Sequence, residues 1–413
     1  MYPDFFLSAL IQMIDSPLYD RKWSRLPIDG TVTKPMPIFD HEMLREIYEQ
    51  PQALRHTIDL YLANGTLKPE IAALLAGWAI PEGEILIAAS GSSRHSGLAA
   101  EILLEDLCGL AVDVEYASEY SCRGSNAKAD VRHPSVLVLS QSGETSDTLA
   151  ALREARLRGQ KTLAITNAAA STMACEADVS MPLAAGVEKA IPATKSFTSQ
   201  LAVLYLLALY EGVRLGRMDA DELATHIAEL RAVPGSIEAQ LDGWREQTAA
   251  LAQKYKGANT FLYLGRGIHY AIAREGALKL KEASYVHAEG YPTGELKHGP
   301  NALVSDTVPL VVLATVDRAL DASVFRYEKT LQLLRDMQAQ GAKVIAVANA
   351  GDEEVRGLVS DCIYVDAAPE YLLPIEEVVP LQLFSYFMAL AHGVDVDRPR
   401  NLSKAVVESP ASS

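Results

Sequence analysis

The chain contains little cysteine, and its cysteines stand far apart. There are four in 413 residues, with no Cys-x-x-Cys pair and no histidine at ligand spacing: Cys108, Cys122, Cys175 and Cys362. This pattern argues against a disulfide framework and against a zinc site. We therefore expect four reduced thiols in the core of a cytoplasmic protein, with no bound metal.

The sequence also has no apolar run long enough to span a membrane, and it is poor in basic residues. The apolar segment 5–14 is short, follows an aspartate and lacks a basic flank, which argues against a signal peptide. The formal net charge of -16 argues against nucleic acid and anionic membranes as partners. An anionic substrate would therefore need a local binding site.

Short apolar strands alternate with helices from residue 85 onward, after a segment with helical spacing of apolar residues at about 40–75. The expected strands cover 85–89, 136–139, 162–165 and 179–182, and a long apolar helix covers 197–210. This alternation predicts a buried parallel sheet with helices on both faces.

The chain then repeats this order. Segment 161–167, Lys-Thr-Leu-Ala-Ile-Thr-Asn, recurs at 343–349 as Lys-Val-Ile-Ala-Val-Ala-Asn. We predict an α/β fold with two tandem doubly wound, flavodoxin-like parallel-sheet domains joined by helices. The expected boundaries are an N-terminal extension at 1–40, a helical lead-in at 41–84, a first domain at 85–215, a helical linker at 216–257, a second domain at 258–394 and a C-terminal tail at 395–413.

The stretch 275–300 carries the strongest chemical signal. If its first half is helical, Glu275, Lys279 and Glu282 share one face. An amine beside a carboxylate can form a Schiff base and move a proton on the neighbouring carbon. The second half, broken by glycine and proline at 290–294, predicts a loop that presents His298 for proton transfer. The alternative is a solvated helix face held by salt bridges.

The first copy of the repeat has two hydroxyl-rich turns between a strand and a helix: Ser90, Ser92 and Ser93, then Ser140, Ser142 and Thr145. Small hydroxyls and backbone N–H groups at a helix N-terminus can bind a phosphate without a basic residue. The alternative is ordinary helix capping. The second copy lacks these hydroxyls, so we expect the first domain to bind phosphate and the second to perform chemistry.

Two segments, Glu-Gly-Ala-Leu-Lys-Leu-Lys-Glu at 275–282 and Gly-Glu-Leu-Lys-His-Gly-Pro at 294–300, resemble without gaps the isomerase domain of the glutamine–fructose-6-phosphate amidotransferases, members of the SIS (sugar isomerase) family. The resemblance covers about residues 41–408. It implies that Lys279 forms a Schiff base with the C2 carbonyl of fructose 6-phosphate, and that Glu282 moves a proton between C1 and C2 of the sugar. It also implies that His298 from a neighbouring subunit opens the sugar ring, and that Lys404 contacts the open chain.

The resemblance further implies that a set of side chains binds the sugar phosphate: Ser93, Ser140, Gln141, Ser142, Thr145, Glu188, Ile191 and Ala193. The chain departs from the family at several positions. Pro192 and Ala193 replace alanine and serine, and Ser90 and Ser92 replace cysteine and threonine. The family's glutaminase needs an N-terminal cysteine nucleophile, and no cysteine precedes Cys108.

Without a glutaminase, ammonia is scarce and mass action favours its release. We therefore expect a glucosamine-6-phosphate deaminase that makes fructose 6-phosphate and ammonia without a cofactor. The alternatives are an isomerizing glucosamine-fructose-6-phosphate aminotransferase that uses free ammonia or a separate glutaminase as partner, a fructosamine-6-phosphate deglycase, and a non-enzymatic sugar-phosphate sensor. The chain is expected to form a homodimer or a larger homo-oligomer.

Overall fold

The computed structural model describes residues 39–78, 84–123 and 135–404. Nearly all of the expected N-terminal extension and the last part of the C-terminal tail lie outside these residues.

The lead-in to the first domain is helical but interrupted. Its helices are α1 (Glu42–Tyr48), α2 (Gln50–Tyr61) and α3 (Pro69–Ala76). Between α2 and α3, strand β1 (Leu62–Ala63) pairs antiparallel with β2 (Thr66–Leu67). Asn64 and Gly65 connect these strands with φ of 51° and 75°, as a two-residue hairpin turn requires. The helical pattern indicated for about 40–75 therefore corresponds to three helices and one hairpin, because an Asn-Gly pair favours the hairpin.

The first domain is a five-stranded parallel sheet. Its strands are β3 (Glu84–Ala89), β4 (Ala111–Tyr116), β5 (Ser135–Leu139), β6 (Lys161–Thr166) and β7 (Val179–Pro182). The strand order is β4-β3-β5-β6-β7. All residues of β5 are buried, as expected for a sheet covered on both faces. The helices are α4 (Gly91–Cys108), α5 (Ala117–Cys122), α6 (Ser146–Leu157), α7 (Thr172–Glu176) and α8 (Lys195–Arg214).

One long helix, α9 (Ala220–Tyr255), links the two domains. It begins with a capping box, in which the Asp219 carboxylate accepts from the Glu222 backbone N–H and the Glu222 carboxylate accepts from the Asp219 backbone N–H. The prediction of a helical connection is confirmed.

The second domain repeats the first. Its strands are β8 (Thr260–Gly265), β9 (His287–Pro292), β10 (Leu310–Leu313), β11 (Val344–Asn349) and β12 (Asp361–Val365). They form a parallel sheet with the order β12-β11-β10-β8-β9, so both sheets follow the order 2-1-3-4-5 when strands are counted along each domain. The helices are α10 (His269–Ser284), α11 (Asp321–Ala339), α12 (Glu353–Leu358) and α13 (Leu373–Ala391). The prediction of two tandem flavodoxin-like sheets is confirmed.

The loop expected from residue 290 begins later than the sequence indicated. Residues 287–292 form β9, which pairs in parallel with β8. Gly290 marks a close approach rather than a turn, because a Cβ there would lie 2.7 Å from the Cα of Arg274 on α10. Two 3-10 turns follow, at Thr293–His298 and Pro300–Leu303.

The four cysteines form no disulfide and do not share one environment. Cys108 and Cys362 are buried, as expected, whereas Cys122 and Cys175 are exposed. The expectation of core thiols was wrong for the exposed pair, because Cys122 ends the short helix α5 and Cys175 lies on the outer side of α7.

Helix α13 is predominantly apolar. It is the one described helix with the length and composition to cross a membrane, and 89% of that stretch is buried inside the protein. Such burial is typical of a core helix in a sheet domain.

The same helix buries a carboxyl group, Glu376, which is 2% exposed. Burial raises its pKa to about 7, despite hydrogen bonds from Ser236 and Gln240. In the unfolded chain the group ionises at a lower pH, so stability falls as the pH rises from about 4.5 to about 7. We expect Glu376→Gln to raise the free energy of unfolding by about 2 kcal/mol at about pH 8, and by less than about 1 kcal/mol at about pH 5.

Denaturant melts at the two pH values measure this difference, with Glu246→Gln on the exposed surface of α9 as the matched control. An equal effect of Glu376→Gln at both pH values would contradict the assignment of Glu376 as a proton-binding group.

Candidate active site

A pocket of about 230 Å³ lies at the carboxyl ends of β3 and β5, where it faces helix α10 of the second domain. We call it the inter-domain pocket. Ligands of doubly wound sheets bind at this edge. Ten of the twelve site residues expected from the sequence line it: Ser93, Ser140, Gln141, Ser142, Thr145, Ile191, Ala193, Lys279, Glu282 and Lys404. Glu188 and His298 are not in its lining.

The turn before α6 presents a compact group of hydroxyls. Ser140 Oγ lies 2.9 Å from Thr145 Oγ1 and accepts a hydrogen bond from the Gly143 backbone N–H at 3.1 Å. Ser142 Oγ accepts from the Glu144 backbone N–H at 3.1 Å. Thr145 is the N-cap residue of α6, yet its side chain makes no capping hydrogen bond. The geometry therefore differs from ordinary capping and leaves hydroxyl groups directed at the pocket.

The first turns of α4 are held by a side chain of α8. Ser93 Oγ accepts a hydrogen bond from Gln200 Nε2 at 2.9 Å, and Gln200 Oε1 accepts from Ser96 Oγ at 3.0 Å. Because Ser93 already accepts from Gln200, its own hydroxyl proton can be donated to a ligand. Sequence reasoning gave Gln200 no role in the site, since its partners lie more than 100 residues away.

Lys279 is the buried cation of the pocket, with 1% exposure. Its Nζ contacts the Glu282 carboxylate and lies 3.5 Å from Glu275 Oε1. Burial acts to lower the pKa of Lys279, but the two carboxylates outweigh burial and raise it. Lys279 is therefore an ammonium at rest, and Glu282 is placed to take its proton. The expectation that Glu275, Lys279 and Glu282 share one helix face is confirmed.

Glu188 is buried beside Lys404, which lines the pocket, and holds two segments together. Its carboxylate accepts from the Ser196 hydroxyl at 2.7 Å and from Lys404 Nζ at 2.7 Å. Although burial acts to raise it, the Lys404 ammonium holds the pKa of Glu188 below its ordinary value. Lys404 also donates to the Ala190 carbonyl at 2.6 Å. The tail lysine is thus fastened to the loop that carries Ile191 and Ala193.

His298 is exposed at the end of the 3-10 turn Thr293–His298. It lies outside the inter-domain pocket of its own chain. Its expected role through a neighbouring subunit therefore stays a prediction. Within the described residues, no group of three or more histidine, cysteine, aspartate or glutamate side chains is arranged to hold a metal ion.

Comparison with protein families finds the same duplication that the fold shows. The SIS domain model matches the chain twice, at residues 80–210 and 254–392. The chain belongs to the SIS domain family. Each match contains one of the two parallel sheets, so the inter-domain pocket lies between two SIS domains.

The curated relatives of this SIS chain are longer than it is. It is 42% identical over 371 residues to the glutamine–fructose-6-phosphate aminotransferase (isomerizing) of Thermus thermophilus. The aligned residues make up 89% of this chain and 59% of the relative. The corresponding protein of Chlorobaculum tepidum is 40% identical over 376 residues. The chain thus spans about three fifths of the relatives that it matches.

Solved structures show the same SIS architecture. The C-terminal domain of glucosamine-fructose-6-phosphate aminotransferase from Francisella tularensis superposes with a TM-score of 0.79 at 33% identity, covering 87% of this chain and 99% of that domain. A glucosamine-6-phosphate deaminase from Thermotoga maritima superposes with a TM-score of 0.64 at 22% identity, covering 89% of this chain and all of that one. The second likeness concerns the fold alone.

Proposed function

We propose that this chain interconverts an amino-sugar 6-phosphate and a ketose 6-phosphate through a Schiff base on Lys279. The observation that carries the proposal is the placement of Lys279 and Glu282, from the second domain, opposite the hydroxyl-rich turns of the first. One wall can hold a phosphate, and the other can perform imine and proton-transfer chemistry.

In the direction of deamination, the substrate is the open chain of glucosamine 6-phosphate. Glu282 removes the proton from C2 and returns it to C1, while a proton of the amino group passes to the C1 oxygen. The product is an iminium at C2. Glu282, again a carboxylate, then takes the proton of Lys279, with which it is in contact. The Lys279 amine attacks C2 and ammonia leaves, and water hydrolyses the lysine imine to give fructose 6-phosphate.

The proposed assignments extend to His298 and Lys404. His298 of a neighbouring copy opens the sugar ring, which requires at least a homodimer. Lys404 leaves or shares its contact with Glu188 and Ala190 to meet the open-chain sugar. These steps need no cofactor, because one amine and one movable proton complete the chemistry.

We propose glucosamine-6-phosphate deaminase as the net reaction of the chain acting by itself, since water is abundant and free ammonia is scarce. The second candidate is the isomerizing aminotransferase reaction, with ammonia supplied free or by a glutaminase. The 42% identity to proteins of that name favours it. Both reactions use one site in opposite directions.

The direct test incubates the purified protein with glucosamine 6-phosphate and follows ammonia and fructose 6-phosphate together. Equal release of both products is the expected result. Synthesis of glucosamine 6-phosphate from fructose 6-phosphate and ammonium, without net deamination, would favour the aminotransferase. The absence of product in both assays would overturn the proposal. A deglycase acting on a fructosamine 6-phosphate, or a sensor, would then be favoured.

The hydroxyl-rich turn gives a separate prediction. We expect Thr145→Val to raise KM for the sugar phosphate about 10- to 30-fold and to leave kcat within about 3-fold, because one donor to the phosphate is lost far from the reacting carbons. Inhibition by inorganic phosphate should weaken in parallel. Ser146→Ala, one residue along and outside the pocket lining, is the matched control. A fall in kcat at unchanged KM would contradict a phosphate-binding role for Thr145.

A further inference from the structure

A buried hydrogen bond joins the phosphate-binding helix to the catalytic helix. His95 lies on α4, two residues after Ser93, and Glu275 lies on α10, one turn before Lys279. His95 Nδ1 is 2.7 Å from Glu275 Oε2. His95 is 7% exposed and Glu275 is fully buried. A histidine in this setting has a specific partner, and sequence reasoning had given it no role.

The charges around this bond determine which group donates. Burial lowers the pKa of His95, helped by Arg274 and Lys279 and opposed by Glu275, so the ring is neutral. Burial acts to raise the pKa of Glu275, but Lys279 and His95 outweigh burial and lower it. Glu275 is therefore a carboxylate. A neutral ring can donate to it only with the proton on Nδ1.

The second oxygen of Glu275 faces the reacting amine. Glu275 Oε1 lies 3.5 Å from Lys279 Nζ. During the proposed reaction Glu282 gains and loses a proton, so it cannot serve as a constant counter-charge. Glu275 can serve as a constant counter-charge to Lys279, provided that its carboxylate does not rotate. An iminium on Lys279 would then keep one fixed anion beside it in a buried site.

We propose that His95 is a positioning residue that fixes the Glu275 carboxylate against Lys279. The inference rests on the proposed function, and it assigns to the phosphate-binding domain a part in the chemistry of the other domain. His95 touches neither the sugar nor the reacting atoms and acts through Glu275. Because α4 also carries Ser93, one helix both binds the phosphate and sets the counter-charge of the lysine.

A double-mutant cycle tests the proposal. We expect His95→Ala to lower kcat about 100-fold with KM within about 3-fold. His95→Asn, whose amide can donate from nearly the place of Nδ1, should recover kcat to within about 5-fold of the unaltered protein. In a Glu275→Gln background, His95→Ala should cost less than about 3-fold more, because the residue through which His95 acts has already lost its charge.

Additive effects of the two substitutions, or a rise in KM at unchanged kcat, would overturn the positioning role. A second measurement does not depend on turnover or on the alanine variant. Histidine ring 15N NMR of the unaltered protein should show His95 neutral with the proton on Nδ1. A proton on Nε2 alone would overturn the inference. An unaltered protein without activity on any amino-sugar phosphate would instead overturn the proposed function.

Discussion

Replacing Lys279 with methionine should lower turnover of the amino-sugar phosphate by about 10⁴-fold or more, because it removes the proposed covalent nucleophile. Methionine has nearly the length of lysine and suits a site with 1% exposure, so the fold should persist. Binding of sugar phosphate should weaken little, since the proposed phosphate contacts belong to the other domain. Steady-state kinetics and equilibrium binding measure the two effects separately.

The matched control for Lys279→Met is Lys281→Met, two residues along the same helix, where the side chain is exposed. It should leave turnover unchanged. Turnover by Lys279→Met within about 10-fold of the unaltered protein would remove the Schiff base from the mechanism.

The same variant addresses the role of His298. If His298 enters the pocket of a neighbouring copy, Lys279→Met and His298→Ala proteins should each be inactive alone. After they are mixed and allowed to exchange subunits, mixed dimers should contain one intact site and recover part of the activity. Activity that never returns in verified mixed dimers would contradict the shared site.

Replacing Glu282 with glutamine should lower kcat by about 10³-fold while the affinity for sugar phosphate changes by less than about 5-fold. The glutamine keeps the size of the side chain and cannot accept the proton from C2. It also removes one of the carboxylates that raise the pKa of Lys279. The lysine should therefore lose its proton more readily, and imine formation should extend to lower pH than in the unaltered protein.

A large loss of kcat at nearly unchanged affinity in Glu282→Gln distinguishes an enzyme from a sensor. Rapid mixing with fructose 6-phosphate, whose C2 is already a carbonyl, should show that the Glu282→Gln protein forms the imine and then stalls, with Glu328→Gln on the exposed face of α11 as the control. A sensor would show no turnover in the unaltered protein that the substitution could remove. Normal turnover by Glu282→Gln would assign the proton transfer to another group.

The parts of the site that the sequence predicted are those encoded by local spacing. Lys279 and Glu282 are three residues apart on one helix, so helical periodicity alone indicates that they meet. The hydroxyls of residues 140–145 share one turn, and the duplicated order of strands and helices predicts where that turn lies. Local pattern was enough for these residues because each contact closes within a few positions of the chain.

The remaining contacts join residues that are far apart along the chain. His95 and Glu275 are separated by 180 positions, and Lys404 and Glu188 by 216. The spacing of residues along the sequence does not predict such pairs, because the chain must fold and pack before their side chains meet. The strands β4 and β9 were missed for a different reason. They lie at the edges of their sheets and are only partly buried, so neither has the continuous apolar run of a central strand.

The most direct measurement is chemical trapping of the imine. The unaltered protein is incubated with fructose 6-phosphate and borohydride, digested, and analysed by mass spectrometry for the lysine that carries the reduced sugar phosphate. We expect the adduct on Lys279, formed in the unaltered protein and in Glu282→Gln, and absent from Lys279→Met. An adduct on Lys404 instead, or active enzyme that never gives an adduct, would contradict covalent catalysis by Lys279.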